Sequence, residues 1–293
     1  MKRLLVTTLL CLLTLPAFAD EQVDRRLDAA PDGRVEISNI AGSVTVIGWN
    51  RNSVEVTGTL GRNVEELIFE RDGDRIEIKV KVPRKGGRGI ESDLRISVPK
   101  NSSVDIGTVS ADIDVSDVTG EQSLSSVSGD IETDYAGGDL SAQSVSGDIE
   151  VSGNGAAGDI AANTVSGDVT LFRVSGQVEA ESVSGDVVID EGSFERAELS
   201  TVNGDIVFQG KLEKSGRLSI DTVNGGVDVE FDGAVSARFE IDTFNGGIRN
   251  CFGPKAERTS KYAPGWELEF TEGSGSARVE ISTMNGGVTI CKK

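Results

Sequence analysis

The sequence predicts an all-β protein: a β-solenoid with stacked coils of about 18–21 residues and an N-terminal β-rich flanking segment. Three observations predict this fold class. A five-residue phrase returns at near-constant spacing, apolar residues alternate at period two on both sides of it, and 36 glycines accompany only 5% aromatic residues in a chain of 293. Periods of about twenty residues are typical of solenoids, and alternation is typical of strands with one buried face.

The first element is a leader segment. Lys2 and Arg3 precede an apolar run from Leu4 to Leu15, and Ala17-Phe18-Ala19 follows. A charged start, an apolar run of this length and an Ala-x-Ala site are typical of a signal peptide, and the run is shorter than the ~20 residues of a membrane span. We therefore expect residues 1–19 to be removed. The protein is then exported, to the periplasm, the medium or the cell surface, without a stable membrane span.

Residues 20–103 form a predicted N-terminal β-rich region. Alternating runs such as Ile76-Ile78-Val80 and Leu94-Ile96-Val98 indicate strands that lack the repeat. One outlying copy of the repeat frame lies at 35–46, separated from the others. Because the open end of a solenoid exposes strand edges and apolar core, we expect a region of this kind to flank or cap it.

The repeat domain is predicted over residues 104–293, with an insertion at about 252–278. The phrase reads Val145-Ser146-Gly147-Asp148-Ile149, and later copies replace Ser with Asn and Asp with Gly. Successive copies lie 18 to 21 residues apart up to Phe244, and one more follows the insertion. The first residues of the copies, here called the pivots, are Val109, Val127, Val145, Val165, Val183, Val202, Val223, Phe244 and Met284.

The parity of each copy predicts a corner. Leu218, Ile220 and Thr222 alternate with polar residues, and the alternation resumes after a slip of one between Thr222 and Val223. A recurring slip is typical of a bend that keeps the same face inward. The Thr and Ser hydroxyls before the pivots face inward at this corner, and we expect them to satisfy backbone groups there. Asn-Gly between alternating residues also suits a hairpin, but that register would oppose Val202 to Asp205. Stacked coils are therefore favoured.

The two cysteines of the repeat domain are predicted to form a disulfide. Cys251 lies seven residues after pivot Phe244, and Cys291 lies seven residues after pivot Met284. They therefore occupy the same position in what we expect to be adjacent coils, ~4.8 Å apart, which suits a disulfide. Export places them in an oxidising compartment. The bond is expected to tie down the last coil.

A column of outward carboxylates is the candidate metal site. It comprises Asp130, Asp148, Asp168, Asp186 and Asp205. Hard oxygen ligands suit Ca²⁺, so one hypothesis is a calcium ladder; the alternative is a solvated, salt-screened edge. No other cofactor is expected. The chain contains no histidine, which excludes a Ser-His-Asp triad and histidine-ligated metals.

The net charge of the chain limits the classes of partner that we expect. The net charge is −19 and becomes −21 once Lys2 and Arg3 are removed with the leader, which argues against nucleic acid as a partner. The expected function is non-catalytic: a structural or adhesive role in the cell envelope through an acidic surface, toward an envelope protein or polysaccharide. The first alternative is a cation-dependent module that binds polysaccharide or protein. The second is a carbohydrate-active β-helix enzyme, although its acid pair would stand out from the repeat.

The phrases Val-Ser-Gly-Asp-Ile and Val-Asn-Gly-Gly-Val, with the closing run from Ala277 to Gly287, resemble the bacterial putative-adhesin family of β-strand repeats. The resemblance extends from about residue 35 to residue 293. It implies a secreted or envelope-associated β-solenoid with a role in surface adhesion or envelope stress. It supplies no catalytic residues.

Overall fold

The computed structural model describes residues 21–84, 87–260 and 264–293, so the predicted signal peptide lies outside the described residues. Every regular element in these ranges is a β-strand, which confirms the all-β class. None of the described residues belongs to a helix long and apolar enough to cross a membrane. The strands before the repeat array are β1 (Glu21–Asp28), β2 (Arg34–Trp49), β3 (Ser53–Leu60), β4 (Glu66–Asp72), β5 (Arg75–Lys81) and β6 (Ser92–Pro99).

Sixteen further strands lie in the described part of the repeat array. Up to the insertion they are β7 (Ser103–Ser116), β8 (Gln122–Ser125), β9 (Ile131–Tyr135), β10 (Leu140–Gln143), β11 (Ile149–Gly153), β12 (Ala157–Thr164), β13 (Val169–Ser182), β14 (Val187–Asn203), β15 (Ile206–Asn224), β16 (Val227–Phe231), β17 (Ala237–Asn245) and β18 (Ile248–Asn250). The remaining strands are β19 (Glu257–Arg258), β20 (Trp266–Thr271), β21 (Ala277–Asn285) and β22 (Val288–Lys292).

Inside the repeat array each copy pairs in parallel with the copies on either side of it, and the outermost copy, at Phe244, has a parallel neighbour on one side only. Ile149, for example, is in register with Ile131 on one side and Val169 on the other. A hairpin at each Asn-Gly or Ser-Gly would have produced antiparallel pairs between the two halves of one copy. The observed parallel register is the one that stacked coils require.

The inward positions form one continuous core. In the copy at Val223, Leu218, Ile220, Val227 and Val229 are all buried, as the alternation predicts. Toward the C-terminal end, phenylalanines take over part of the core, and their ring centroids lie 5.4 to 6.0 Å apart along Phe194, Phe208, Phe231 and Phe239. Since each coil is thin, most of this burial depends on its neighbours in the stack.

The corner differs from the expected parity in one respect. The pivots were expected to face inward, as Val223 does in the frame Val223-x-Gly225-x-Val227, but they are exposed. The slip lies one residue later: the residue before the pivot is buried, the pivot and its successor both face outward, and the glycine then faces inward. At the inward glycine the backbones of neighbouring coils are in close contact, since a methyl group added at Gly167 would overlap the carbonyl oxygen of Gly147.

The outlying first copy lies next to the array in space. β2 pairs in parallel with β7, with Ile37 opposite Ile106 and Val44 opposite Ile113. On its other side β2 pairs in parallel with β5 and β6, and β4, β3 and β1 then add antiparallel strands. The described residues within 47–103 therefore lie at the N-terminal end of the stack.

The last copy in the sequence is not the last coil in space. β21 pairs in parallel with β15 on one side and with β17 on the other, so the coil at Met284 lies between the coils at Val223 and Phe244. The insertion makes this possible, because 40 residues separate the pivots Phe244 and Met284. Within the insertion, β20 pairs antiparallel with β17 and covers its outer edge.

The predicted disulfide is present. Cys251 and Cys291 are bonded, with their Cα atoms 4.9 Å apart, as expected for the same position in adjacent coils. The bond does tie down a terminal coil, but in space that coil is the one at Phe244 and not the last coil in sequence. It joins the coil at Met284, which is enclosed on both sides, to the outermost coil of the array at Phe244.

Candidate binding surface

The pivots form a column of exposed apolar side chains along one edge of the stack. Their exposed fractions run from 38% for Val223 to 55% for Phe244. We name this set the corner column. In spatial order it comprises Val109, Val127, Val145, Val165, Val183, Val202, Val223, Met284 and Phe244. An exposed apolar row of this length is unusual for a soluble surface and is typical of interaction sites.

The column of aspartates lies three positions after the corner column. The five predicted residues are stacked one per coil, and Asp112 adds a sixth that the sequence reading omitted. Each Oδ1 accepts a hydrogen bond from a backbone N–H of the next coil, at 2.7 to 3.1 Å. The carboxylates therefore satisfy backbone donors at the corner. Hydrogen bonds to a charged acceptor are stronger than neutral ones.

This geometry bears on the calcium hypothesis. One oxygen of each carboxylate is engaged by the backbone, and within the described ranges no three or more Asp, Glu, Cys or His side chains cluster in a way that could hold a metal ion. The aspartates form a line with one carboxylate per coil. Calcium binding by Asp130, Asp148, Asp168, Asp186 and Asp205 stays a prediction, and its test is given below.

In the later coils glycine takes the place of the aspartate, and an asparagine column takes the place of the serine that follows each pivot. The amide of Asn224 donates to the Oδ1 of Asn203, that of Asn285 to Asn224, and that of Asn245 to Asn285, at 2.8 to 2.9 Å. These side chains lie directly beside the corner column. They repeat the spatial order of the coils, including the inserted one at Met284.

Hydroxyls line the inner side of the corner. Oγ1 of Thr164 donates to the carbonyl oxygen of Gly147 at 3.1 Å, and Oγ1 of Thr243 donates to that of Gly286 at 3.0 Å. Ser182, Thr201, Thr222 and Thr283 make the equivalent bond. The backbone-satisfying role expected of this column is confirmed, and its hydroxyl hydrogens are already engaged.

A groove runs beside the corner column. Its volume is about 1010 Å³, and it extends from Gln143 and Ser144 to Phe244, where Thr259, Gly265 and Trp266 close its end. One wall is the corner column and the floor is the hydroxyl column. The other wall consists of outward residues two positions before each pivot, in spatial order Gln143, Asn163, Glu181, Ser200, Asp221, Ser282 and Asp242.

All the charged side chains in the described lining of the groove are negative. Its described lining includes the carboxylates Glu181, Asp221 and Asp242 and no lysine or arginine. Loss of hydration, reinforced by Glu280, raises the pKa of Asp221 above its usual value; for Asp242 the same burial, with Glu269 and Glu240, also raises the pKa. The local field therefore favours a positive charge in the groove.

Acidic and basic side chains are also distributed unevenly along the stack. Residues 104–172 contain thirteen acidic side chains and no lysine or arginine. Further along, four arginines are stacked six positions before their pivots, at Arg196, Arg217, Arg278 and Arg238. Each pairs with a nearby glutamate, such as Arg217 with Glu280 at 2.6 Å. The sequence reading missed both this row and the exposure of the corner column, although the spacing of six residues from the pivots was visible.

Comparison with known proteins agrees with the fold. The sequence model of the family described as Toastrack DUF4097 matches residues 32–195 and 175–291. A search of curated proteins returns no match.

Three solved structures are among those to which this chain is similar. A putative adhesin from Bacteroides fragilis is 12% identical, covering 93% of this chain and 97% of that chain, with a TM-score of 0.41. A putative lipid binding protein from Parabacteroides distasonis is 12% identical, covering 93% and 96%, with a TM-score of 0.34. A putative cell adhesion protein from Clostridium sporogenes is 10% identical, covering 93% and 100%, with a TM-score of 0.26.

Proposed function

The chain belongs to the Toastrack family, DUF4097, and from that premise we propose that it is an exported, non-catalytic binding protein of the cell envelope that holds an extended partner along its corner column. The observation that carries the proposal is the unbroken row of nine exposed apolar pivots. Coil-by-coil hydrogen bonds fix their spacing, so the surface is rigid before a partner arrives. Rigidity lowers the entropic cost of binding.

A binding role fits the acidic surface better than a catalytic one. Among the described residues the carboxylate columns repeat from coil to coil, so no pair stands apart as an acid and a base. Export is proposed from residues 1–19, whose charged start, apolar run and Ala-x-Ala site are those of a signal peptide. An adhesive or scaffolding role in the envelope follows from these two points together.

Retention on envelope material tests the proposal. Purified mature protein is mixed with cell-wall and membrane fractions of its source cells, and the bound fraction is measured after pelleting. We expect retention of the wild type and its loss in a variant with Val165→Ser, Val183→Ser and Val202→Ser. The matched control is Val207→Ser, another exposed valine outside the groove. Equal retention of wild type and groove variant, or none by either, contradicts the proposal.

A further inference from the structure

We propose that the groove beside the corner column binds a basic polypeptide segment in the polyproline II conformation, with a lysine or arginine at every third position. This inference rests on the proposed function and names the chemistry of the partner. It is carried by three features of the groove: its apolar wall, its unpaired carboxylates and the spacing of those carboxylates.

The apolar wall provides the contact area. The pivots that line the groove run from Val165 to Phe244, the coil before them contributes Gln143 and Ser144, and Trp266 closes the far end. Seven coils span this length, which is roughly 29 Å at about 4.8 Å per coil. A segment of about nine residues covers that distance at ~3.1 Å per residue.

The carboxylates select the charge of the partner. The side-chain carboxylates of Glu181, Asp221 and Asp242 have no hydrogen-bond or ion-pair partner among the described residues. The arginines on the same face are already paired with glutamates. An anionic polymer or a fatty-acid head group would meet only like charges along this wall. A lysine or arginine lays its aliphatic stem on the valines and places its cationic head at the carboxylates.

The spacing of the carboxylates selects the conformation of the partner. In spatial order this wall reads Glu181, Ser200, Asp221, Ser282 and Asp242, so a carboxylate recurs at every second coil. Two coils rise about 9.6 Å. A polyproline II segment returns the same face every three residues, or about 9.3 Å, whereas a β-strand places its third residue on the opposite face.

The aspartate column adds a second line of negative charge on the other side of the pivots. Each aspartate uses Oδ1 for the backbone, and its Oδ2 has no partner among the described residues. The apolar column is therefore bordered by carboxylates on both sides at the coil of Val183, through Glu181 and Asp186. Charge complementarity of this kind also speeds encounter with a cationic segment.

Fluorescence anisotropy with three labelled nonapeptides tests the inference. The probes are Lys-Pro-Val repeated three times, the same residues with the three lysines contiguous, and Glu-Pro-Val repeated three times. We expect the first to bind, the second to bind about tenfold more weakly, and the third not to bind. No binding of the first probe, or equal binding of the first two, overturns the proposal.

Two matched variants locate the site. Glu181→Gln with Asp221→Asn and Asp242→Asn is expected to weaken the Lys-Pro-Val probe about tenfold, and added salt should reproduce part of that loss. The control removes three carboxylates elsewhere, through Asp134→Asn, Asp190→Asn and Asp228→Asn, and is expected to stay within about twofold. Equal loss in both variants, which would indicate a response to net charge alone, overturns the assignment to the groove.

Two outcomes separate this inference from the proposed function. If envelope retention depends on the corner column but the Lys-Pro-Val probe does not bind, the proposed function stands and the basic partner is wrong. If the probe binds while retention ignores the column, the proposed function fails. Concentration-dependent dimerisation that disappears in the Val→Ser variant assigns the groove to a second copy of the chain and overturns the inference.

Discussion

Two groups of coils stack in the same register but are joined by different side chains. In the aspartate coils, with pivots Val127 to Val202, each carboxylate accepts a hydrogen bond from a backbone N–H of the next coil. In the asparagine coils, with pivots Val223, Met284 and Phe244, the side-chain amide of one asparagine donates a hydrogen bond to the side-chain oxygen of the next. The second group is also out of sequence order and contains the disulfide.

The difference shows two ways to close the same corner. A carboxylate acceptor gives a hydrogen bond worth about 1.5–3 kcal/mol, but stacked carboxylates repel by about 1 kcal/mol per pair in water before screening. An amide ladder avoids the repulsion with a weaker bond of about 0.5–1.5 kcal/mol. Coils that follow one another in sequence tolerate the charge. The coils whose order depends on a long return of the chain have the neutral ladder and a covalent bond.

The largest effect is expected at the corner glycines shared by both groups. Gly167→Ala places a methyl group against the backbone of Gly147, which cannot move aside without breaking the stack. We expect a loss of about 4 kcal/mol or more in the free energy of unfolding, in the exceptional range for one substitution. Chemical denaturation measures it.

The matched control is a glycine one position later. Gly247 stands where the aspartate coils have an aspartate, and a methyl group added there meets nothing within 4 Å. Gly247→Ala should change stability by less than about 0.5 kcal/mol. Similar losses at Gly167 and Gly247 would mean that glycine is needed at the corner for a reason other than close backbone contact.

The second-largest loss of stability is expected to begin in only one of the two groups, the asparagine coils. The double variant Cys251→Ser with Cys291→Ser opens a loop of 40 residues, and the loss of chain constraint predicts about 3–4 kcal/mol. Because the bond lies in the asparagine coils, amide protection from hydrogen exchange should fall there first and persist in the aspartate coils. Uniform loss of protection along the whole stack would show that the two groups unfold as one unit.

The sequence predicted most of this architecture because it repeats. Period and alternation gave the coils, the buried residues and the disulfide partners, each of which depends only on spacing. The pivot's exposure was not predicted, because a valine between Thr and Ser-Gly fits either parity. The place of the Met284 coil was not predicted either, since identical repeats carry no local mark of which neighbours they join.

The third effect compares the two ladders directly. Asp186→Ala removes the acceptor of the Asp205 N–H, and Asn224→Ala removes an amide that bonds to both Asn203 and Asn285. We expect losses of about 1–2 kcal/mol for the aspartate, partly offset by reduced repulsion, and about 1 kcal/mol for the asparagine. Raised salt should shrink the offset in the first variant only. An identical salt response in both variants contradicts this account of the ladders.

Calcium distinguishes the aspartate coils in a further way. If the column binds Ca²⁺, millimolar calcium raises the Tm of the wild type above that in sodium chloride of equal ionic strength, and less so after Asp148→Asn with Asp168→Asn. If the carboxylates serve only the backbone, the two salts give the same Tm. The second result would end the calcium hypothesis and leave the ladder as a structural device.

The smallest effect concerns pH and has the same sign in both groups. In the asparagine coils, burial together with Glu269 and Glu240 raises the pKa of Asp242 above its usual 3.8. Near the aspartate coils, burial together with Asp134 raises the pKa of Asp114, while Arg95 acts to lower it. A raised pKa means that the folded chain holds the proton more tightly than the unfolded chain, so these groups favour folding at low pH, and the contribution is lost as pH rises through the folded pKa.

Asp242→Asn and Asp114→Asn should each stabilise the protein at pH 7 relative to wild type, by less than about 0.5 kcal/mol because both side chains are exposed. The advantage should vanish when unfolding is measured below pH 3.8. Asp242→Asn should give the larger gain, since no arginine opposes the shift of Asp242, and a larger gain at Asp114 would contradict the assigned causes.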